Sequence, residues 1–143
     1  MRTILKLLVF FFCIMTSFAS AKENFFIEAK NLFEKENYEE AKFLFQRNIV
    51  FNPKNSESYL YLAKIFNFEE NESEEEKNLN TALLLEPNNE EVMYMLIQIE
   101  LKRSNFSKVK ELTEDFKIIC TSLCGKASLI NEKLNNIQAI NES

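Results

Sequence analysis

The stretches Asn52-Pro53-Lys54-Asn55 and Glu86-Pro87-Asn88-Asn89 contain the only two prolines of the 143-residue chain, and these prolines are 34 residues apart. An aromatic and apolar run follows each of them after a short polar segment: Tyr59-Leu60-Tyr61-Leu62 in one case and Met93-Tyr94-Met95-Leu96 in the other. A fixed period of this length is typical of stacked helical repeats, in which each unit buries its apolar face only against its neighbours.

The same period extends beyond the prolines. One column of large apolar residues lies early in each unit, and a second column closes each unit. The first column is Phe25, Tyr59 and Met93, and the second is Phe51, Leu85 and Ile119. Because apolar residues also recur at three- and four-residue steps, each unit is predicted to form two amphipathic helices.

The predicted fold is therefore all-α, with three helix-turn-helix units and a C-terminal capping helix. The units cover residues 22–55, 56–89 and 90–123, and the capping helix covers residues 125–141. The last segment carries one apolar stripe with polar residues opposite, as expected of a helix with one face on the final unit and the other in water. The stripe consists of Leu129, Ile130, Leu134, Ile137 and Ile140.

Some positions in the units hold small residues, where the two helices must approach closely, and others hold aromatic residues beside the turn. Together with apolar residues and the two prolines, these positions carry a resemblance to one protein family. The positions that carry the resemblance are Ala29, Leu32, Asn37-Tyr38-Glu39-Glu40-Ala41, Phe45 and Pro53 in unit one, Tyr59, Leu62-Ala63, Phe66, Leu79, Ala82 and Pro87 in unit two, and Met93, Leu96, Ser104-Asn105-Phe106 and Val109 in unit three. In these positions the chain resembles the tetratricopeptide repeat (TPR) family. The resemblance spans nearly the whole chain after residue 21 and implies a right-handed superhelical stack.

A polar pair separates the two helices of each unit: Glu36-Asn37, Glu70-Asn71 and Ser104-Asn105. Since Asn tolerates the left-handed backbone conformation that such turns need, we expect the Asn residues to adopt it. Asn55 or Ser56, and Asn89, are the expected N-caps of the helices that follow the prolines.

The first 21 residues are predicted to be a secretory signal peptide. Arg2 and Lys6 provide the basic start, Leu7 to Phe18 is apolar or small, and Ala19-Ser20-Ala21 matches a signal-peptidase site. We expect cleavage after Ala21, export to the periplasm of a bacterium, and no stable membrane insertion afterwards. An uncleaved anchor is the alternative.

The predicted mature chain is acidic. Its net charge is −7, because the whole chain carries −5 and the signal contributes two basic residues and no acidic one. Phosphate recognition needs clustered Lys and Arg, so we expect no nucleic-acid partner. The chain has no histidine and no glycine-rich phosphate loop, and its serines are scattered with no residue nearby that could act as their general base. We therefore expect neither an enzyme nor a cofactor or metal site.

Cys120 and Cys124 are the only cysteines after the signal, and they flank the junction between unit three and the capping helix. In an exported protein such a pair is most simply a structural disulfide, which would replace the missing third proline turn, with Gly125 easing the bend. A redox-active pair, a metal site and two free thiols are the alternatives.

Six glutamates lie between Glu69 and Glu76. Their position over a turn and a helix start favours a structural interpretation, because helix N-termini attract negative charge. A site for a metal or for a basic partner is the alternative.

The TPR resemblance implies a concave surface, lined by the first helix of each unit, that binds a peptide or a helix. On this chain the surface would contain Phe26, Lys30 and Phe33 from unit one, Leu60, Lys64 and Phe68 from unit two, and Tyr94, Gln98 and Leu101 from unit three. Aromatic and aliphatic side chains with lysines between them suit a segment with apolar anchors and some negative charge. Core packing is the alternative for Phe26, Phe33 and Phe68.

Two functions follow as hypotheses. The first is an exported interaction module, a scaffold for a protein or peptide partner in envelope assembly. The second is a small periplasmic thiol-redox or metal-handling factor that acts through Cys120 and Cys124.

Overall fold

The computed structural model describes residues 25–141, with side chains described for residues 25–136. The predicted signal peptide (residues 1–21) and the side chains of Ile137 and Ile140 lie outside this range. Within it the chain contains seven helices and no strand, which confirms the predicted all-α class. The helices are α1, described over residues 25–34, α2 (Tyr38–Phe51), α3 (Ser56–Phe68), α4 (Glu72–Leu85), α5 (Glu90–Lys102), α6 (Phe106–Ile119) and α7 (Cys124–Asn141).

The helices form pairs in sequence order. The pairs α1/α2, α3/α4 and α5/α6 lie within the predicted units 22–55, 56–89 and 90–123. Each helix from α2 onwards packs on the next one along the chain. The last helix, α7, begins at Cys124, one residue before the predicted start.

Among the described side chains, three apolar clusters form the core, and each one spans a junction between units. The first joins α1 and α2 to α3, the second joins α3 and α4 to α5, and the third joins α5 and α6 to α7. Their buried members are Ala29, Ala41, Phe45, Leu62 and Ile65 in the first, Leu60, Ala63, Leu79, Ala82, Val92, Leu96 and Ile99 in the second, and Met93, Ile97, Val109, Phe116, Ala127, Ile130 and Leu134 in the third. The apolar face of each unit is thus completed by the element that follows it.

The first two junctions turn at the prolines. Asn52 and Glu86 end α2 and α4 with ψ values of 72° and 82°, outside the helical region, because a following proline disfavours helical backbone. Cys120 lies at the equivalent place in unit three and ends α6 with φ −64° and ψ 144°. The third junction therefore leaves the helix in extended backbone without a proline.

The turn within each unit corrects one prediction. The residues in the left-handed conformation are Glu36, Glu70 and Ser104, with φ values of 60°, 57° and 57°, and not the asparagines that follow them. The asparagines are instead the N-caps of the second helices. Two of them, Asn71 and Asn105, accept a backbone N–H bond on their side-chain oxygen, and Asn37 donates to Glu40. Asn71 and Asn105 thus use their side chains to cap the following helix, and the residue before each of them takes the left-handed conformation.

The other predicted caps are confirmed. Asn55 accepts from the backbone N–H of Ser58 at 2.8 Å, and Asn89 accepts from that of Val92 at 3.1 Å. The role predicted for Gly125 is wrong, because Gly125 is the second residue of α7 and its φ is not positive. The bend is made before it, at residues 120–123.

Candidate functional site

The first helices of the units and α7 contact one another in a continuous row. Phe33 on α1 packs edge-to-face on Tyr61 of α3, with ring centres 5.0 Å apart. Lys64 on α3 pairs with Glu91 of α5 at 2.8 Å. The Lys126 ammonium of α7 lies 5.5 Å from the ring centre of Tyr94 on α5. These contacts place α1, α3, α5 and α7 side by side, as the predicted groove requires.

Aromatic rings form the N-terminal half of this surface. Tyr61 is its centre, with Phe26 at 6.1 Å and Phe33 at 5.0 Å between ring centres. Phe68 lies 6.2 Å from Phe33 and stacks on Tyr38 at 4.7 Å. Phe68 is 58% exposed, whereas Phe26 and Phe33 are half-buried. Phe26 and Phe33 therefore both pack internally and present part of each ring to water.

This aromatic surface is supported from below by the core. The Tyr61 ring stacks on Phe45, with centres 5.0 Å apart and planes 11° apart, and Phe45 is fully buried. Stacked rings have few alternative arrangements, so a ligand would meet a preformed surface. Sequence reasoning did not include Tyr61 in the groove, although its place two residues after Tyr59 put it on the same helix as Leu60 and Lys64.

Two predicted lysines lie over the aromatic surface. The ammonium of Lys64 is 4.9 Å from the Tyr61 ring centre, and that of Lys30 is 5.8 Å away. Both distances suit cation–π attraction, and both side chains are half-buried. Positive charge is thus held directly above an apolar floor.

Leu60 is placed differently from the other predicted residues. It is only 5% exposed and belongs to the core cluster between α3, α4 and α5. It therefore offers almost no surface to a ligand. The hydrophobic pattern could not reveal this, because an apolar residue on the inner face of a helix suits the core and a groove equally.

The C-terminal half of the surface is a pair of adjoining cavities between α5 and α7. One has a volume of about 470 Å³ and includes Gln98, Leu101 and Lys102 in its walls. The other, of about 260 Å³, includes Tyr94, Gln98 and Lys126. All three residues predicted from unit three thus face an open cavity. Lys133 and Asn136 of α7 line both cavities, and the sequence gives no signal for them because its pattern predicts α7 only as a capping helix.

Cys120 and Cys124 lie at the junction between α6 and α7, near the C-terminal half of the surface. Their sulfur atoms are adjacent and their Cα atoms are 5.2 Å apart, within the range of disulfide-bonded cysteines. Cys120 is half-buried and Cys124 is exposed. The geometry suits the predicted disulfide, and the pairing itself stays a prediction.

The backbone between the cysteines binds a carboxylate. Glu90, the first residue of α5, accepts from the backbone N–H groups of Thr121 at 2.7 Å, Ser122 at 3.1 Å and Leu123 at 3.0 Å. The hydroxyl groups of Thr121 and Ser122 donate to it as well. The Ser122 hydroxyl and these backbone bonds lower the pKa of Glu90 to about 2. This contact ties α7 to α5 and so supports the cavities between them.

The glutamate run joins the repeats. Glu69 binds Lys42 of unit one at 2.5 Å and raises the pKa of that lysine. Glu72 and Glu76 both bind Arg103, at the end of α5, at 2.8 and 2.7 Å. These contacts support the structural interpretation. Among the described residues, no group of His, Cys, Asp and Glu is arranged to hold a metal ion.

Glu75 is the buried member of this run. It is 3% exposed and accepts a hydrogen bond from the side-chain amide of Asn67 at 3.0 Å. Asn67 lies on α3 next to Phe68, so the carboxylate orients a residue at the edge of the groove.

Within residues 25–141, no helix has the length and hydrophobicity needed to span a membrane.

Known structures resemble this arrangement closely. Yersinia enterocolitica SycD, a type III secretion chaperone solved with a peptide of the translocator YopD, has a TM-score of 0.75 at 13% identity, over 83% of this chain and 95% of that one. Pseudomonas aeruginosa PcrH, solved with the chaperone-binding region of PopD, has a TM-score of 0.73 at 10% identity, over 84% and 95%.

A yeast TPR domain matches in the same way. The TPR2B domain of Sti1, solved as a complex with pHsp70, has a TM-score of 0.71 at 15% identity, over 80% of this chain and 96% of that one. This chain has the TPR fold. These identities are low enough that the likeness concerns the fold alone, and neither a protein-family model nor a curated protein matches the sequence.

Proposed function

We propose that this TPR protein is an exported, non-catalytic interaction module that holds a peptide or a helix of another protein against the row formed by α1, α3, α5 and α7. The observation that carries the proposal is the preformed surface itself. Rings supported by the buried Phe45 form one half, and the two adjoining cavities of about 470 and 260 Å³ form the other. The peptide complexes of SycD and PcrH, which have the same fold, support this use of the surface.

The chemistry of the surface suggests the class of segment that binds. Phe68 and Leu101 provide apolar contact area, and Lys30, Lys102 and Lys133 place positive charge along it. A segment with apolar anchors and acidic residues would satisfy both features, since exposed charges favour orientation and on-rate while apolar anchors provide affinity. We further propose that the partner belongs to an envelope assembly, because the N-terminal sequence is typical of a secretory signal for export to the periplasm.

Site-specific photocrosslinking in the native host tests the groove. A crosslinking amino acid at Phe33 and another at Tyr94 are expected to trap the same partner, because both positions face one surface. The matched control is Phe43 on the outer helix α2, which is 61% exposed. Trapping of partners only from position 43 would overturn the proposal.

Phe68→Ala gives the energetic test. Truncation of an aromatic anchor in an interface is expected to weaken binding of the trapped partner by about ten-fold or more. Phe43→Ala removes the same ring at a similar exposure outside the row and is expected to leave affinity unchanged. Equal losses in the two variants would contradict a role for the groove.

The thiol-redox alternative has one observation in its favour. Cys124 is the first residue of α7 and is exposed, and thiol–disulfide exchange requires such access to the sulfur atom. We favour a structural disulfide and expect a reduction potential below about −300 mV, with partner binding preserved in the Cys120→Ser/Cys124→Ser variant. A potential near −200 mV, typical of catalytic pairs, together with lost function in that variant would favour the redox role instead.

A further inference from the structure

The outer helices carry a row of exposed apolar side chains that the groove does not use. Val50, Leu84 and Ile118 lie near the ends of α2, α4 and α6, at equivalent positions 34 residues apart. They are 77%, 82% and 82% exposed, more than any other large hydrophobic residue in the described part of the chain. We call these three residues the outer row. An apolar surface repeated in every unit is a candidate interface.

The neighbouring turn of the same helices carries a graded charge. Arg47, Thr81 and Asp115 each lie three residues before a member of the outer row, on the same side of their helix. One end is therefore positive, the middle is neutral and the other end is negative. Arg47 and Asp115 are exposed, and the Arg47 guanidinium is held 4.4 Å from the ring centre of Phe25.

The outer row and its charges are complementary to a second copy of the same row that runs in the opposite direction. We propose that a second copy of this chain docks on the outer row, with a two-fold axis that passes beside Leu84. The axis would place Leu84 against Leu84 of the second copy and Val50 against Ile118. It would also set Arg47 against Asp115 at both ends of the interface, as an isologous contact requires. A docking with like ends together would oppose Arg47 to Arg47, which is unfavourable.

The next turn limits the patch. The equivalent residues there are Phe43, Lys77 and Glu111, and the last two are already paired within their own helices, to Glu74 at 3.1 Å and to Lys108 at 2.6 Å. The interface is therefore small. Small interfaces hold weak complexes, so we expect a dissociation constant of the order of 10 µM.

Sedimentation velocity over a concentration series tests the proposal, with protein expressed from the full coding sequence and purified in the form that the cell accumulates. The wild-type chain is expected to associate reversibly into dimers. Leu84→Glu should weaken dimerisation by at least about ten-fold, because it sets two carboxylates against each other at the axis. The matched control is Leu129→Glu on α7, where the side chain is 54% exposed and lies outside the outer row. This control should dimerise like the wild type.

A charge exchange tests the orientation. Arg47→Asp and Asp115→Arg should each weaken the dimer, and the double variant should restore it, because the pair is rebuilt with its signs reversed. Thermal unfolding of each variant checks that the fold is kept. A monomeric wild-type chain, unchanged dimerisation of Leu84→Glu, or a double variant no better than the single ones would each overturn the proposal.

Discussion

Helices α2 and α6 occupy equivalent places in units one and three, yet they bury their largest side chains one turn apart. Phe45 is fully buried in α2, and the equivalent residue in α6 is Thr113. Phe116 is fully buried in α6, and the equivalent residue in α2 is Asn48. The first and last junctions thus each receive one large ring from the outer helix, from different turns, and the other position is small or polar. In α4 the two equivalent residues are Leu79 and Ala82, so the middle junction contains no ring from its outer helix.

The polar residues of this exchange act differently. The side-chain amide of Asn48 donates to the hydroxyl of Ser58 at 2.8 Å, so it links unit one to unit two inside the core. The hydroxyl of Thr113 donates to the backbone carbonyl of Val109 at 2.6 Å, within its own helix. The first junction therefore contains a buried polar link between units, whereas the last junction relies on Glu90 and the cysteine pair at its surface.

The largest expected effect comes from removing either ring. Phe45→Ala and Phe116→Ala should each lower the free energy of unfolding by about 3–5 kcal/mol, measured by urea denaturation. Hydrogen exchange should place the lost protection in α1–α3 for the first variant and in α5–α7 for the second. Phe43→Ala is the control, because an exposed ring contributes little. Equal loss of protection along the whole chain in both variants would show that the two clusters are not separate.

A smaller effect is expected from the polar residues. Asn48→Ala leaves a buried hydroxyl without one of its partners and should cost about 1–2 kcal/mol. Thr113→Val removes the hydroxyl together with its bond to the carbonyl of Val109, keeps the shape of the side chain, and should cost less than about 1 kcal/mol. Urea denaturation of both variants under the same conditions gives the comparison. A larger loss for Thr113→Val would contradict the assignment of the link to the first junction.

The smallest effect concerns pH at the last junction. The pKa of Glu90 is held at about 2, below its usual 4.5, so its contribution to stability is complete above pH 4.5 and is lost as the pH falls toward 2. We expect Glu90→Gln to reduce hydrogen-exchange protection of α7 at neutral pH, and the difference from the wild type to shrink as the pH approaches 2.

Glu28→Gln on α1 is the matched control for this titration, because Glu28 is an exposed glutamate far along the chain from the last junction. It should leave α7 unaffected at every pH. A difference between wild type and Glu90→Gln that stays constant from pH 7 to about 2 would rule out the carboxylate as its source.

The helices and their order could be read from the chain because repeats are built from local signals. Pro53 and Pro87 end two helices, and Asn55 and Asn89 cap the helices that follow. These effects act over a few residues, so they are visible in sequence. The turn within each unit was located in the same way, but its left-handed residue was not, because Asn can serve either as a cap or in that conformation.

The sequence predicts which helices line the groove, but it predicts less well which side chains of those helices reach its surface. Phe33, Tyr94 and Gln98 contribute to the surface, whereas Leu60 is in the core and Tyr61 takes the central place. The two residues are adjacent on one helix but face different neighbours. Leu60 packs toward α4 and α5, whereas Tyr61 packs toward α1 and α2.

By itself, the sequence determined the period, the pairing of helices and the sites of their ends, because proline, asparagine and apolar spacing act on the nearby backbone. The tertiary structure alone decided which turn supplies the buried ring, which aromatic residues stay exposed, and how Glu90 binds the backbone of residues 121–123. Those outcomes depend on close packing and on hydrogen bonds between residues about 30 positions apart, which no local pattern contains.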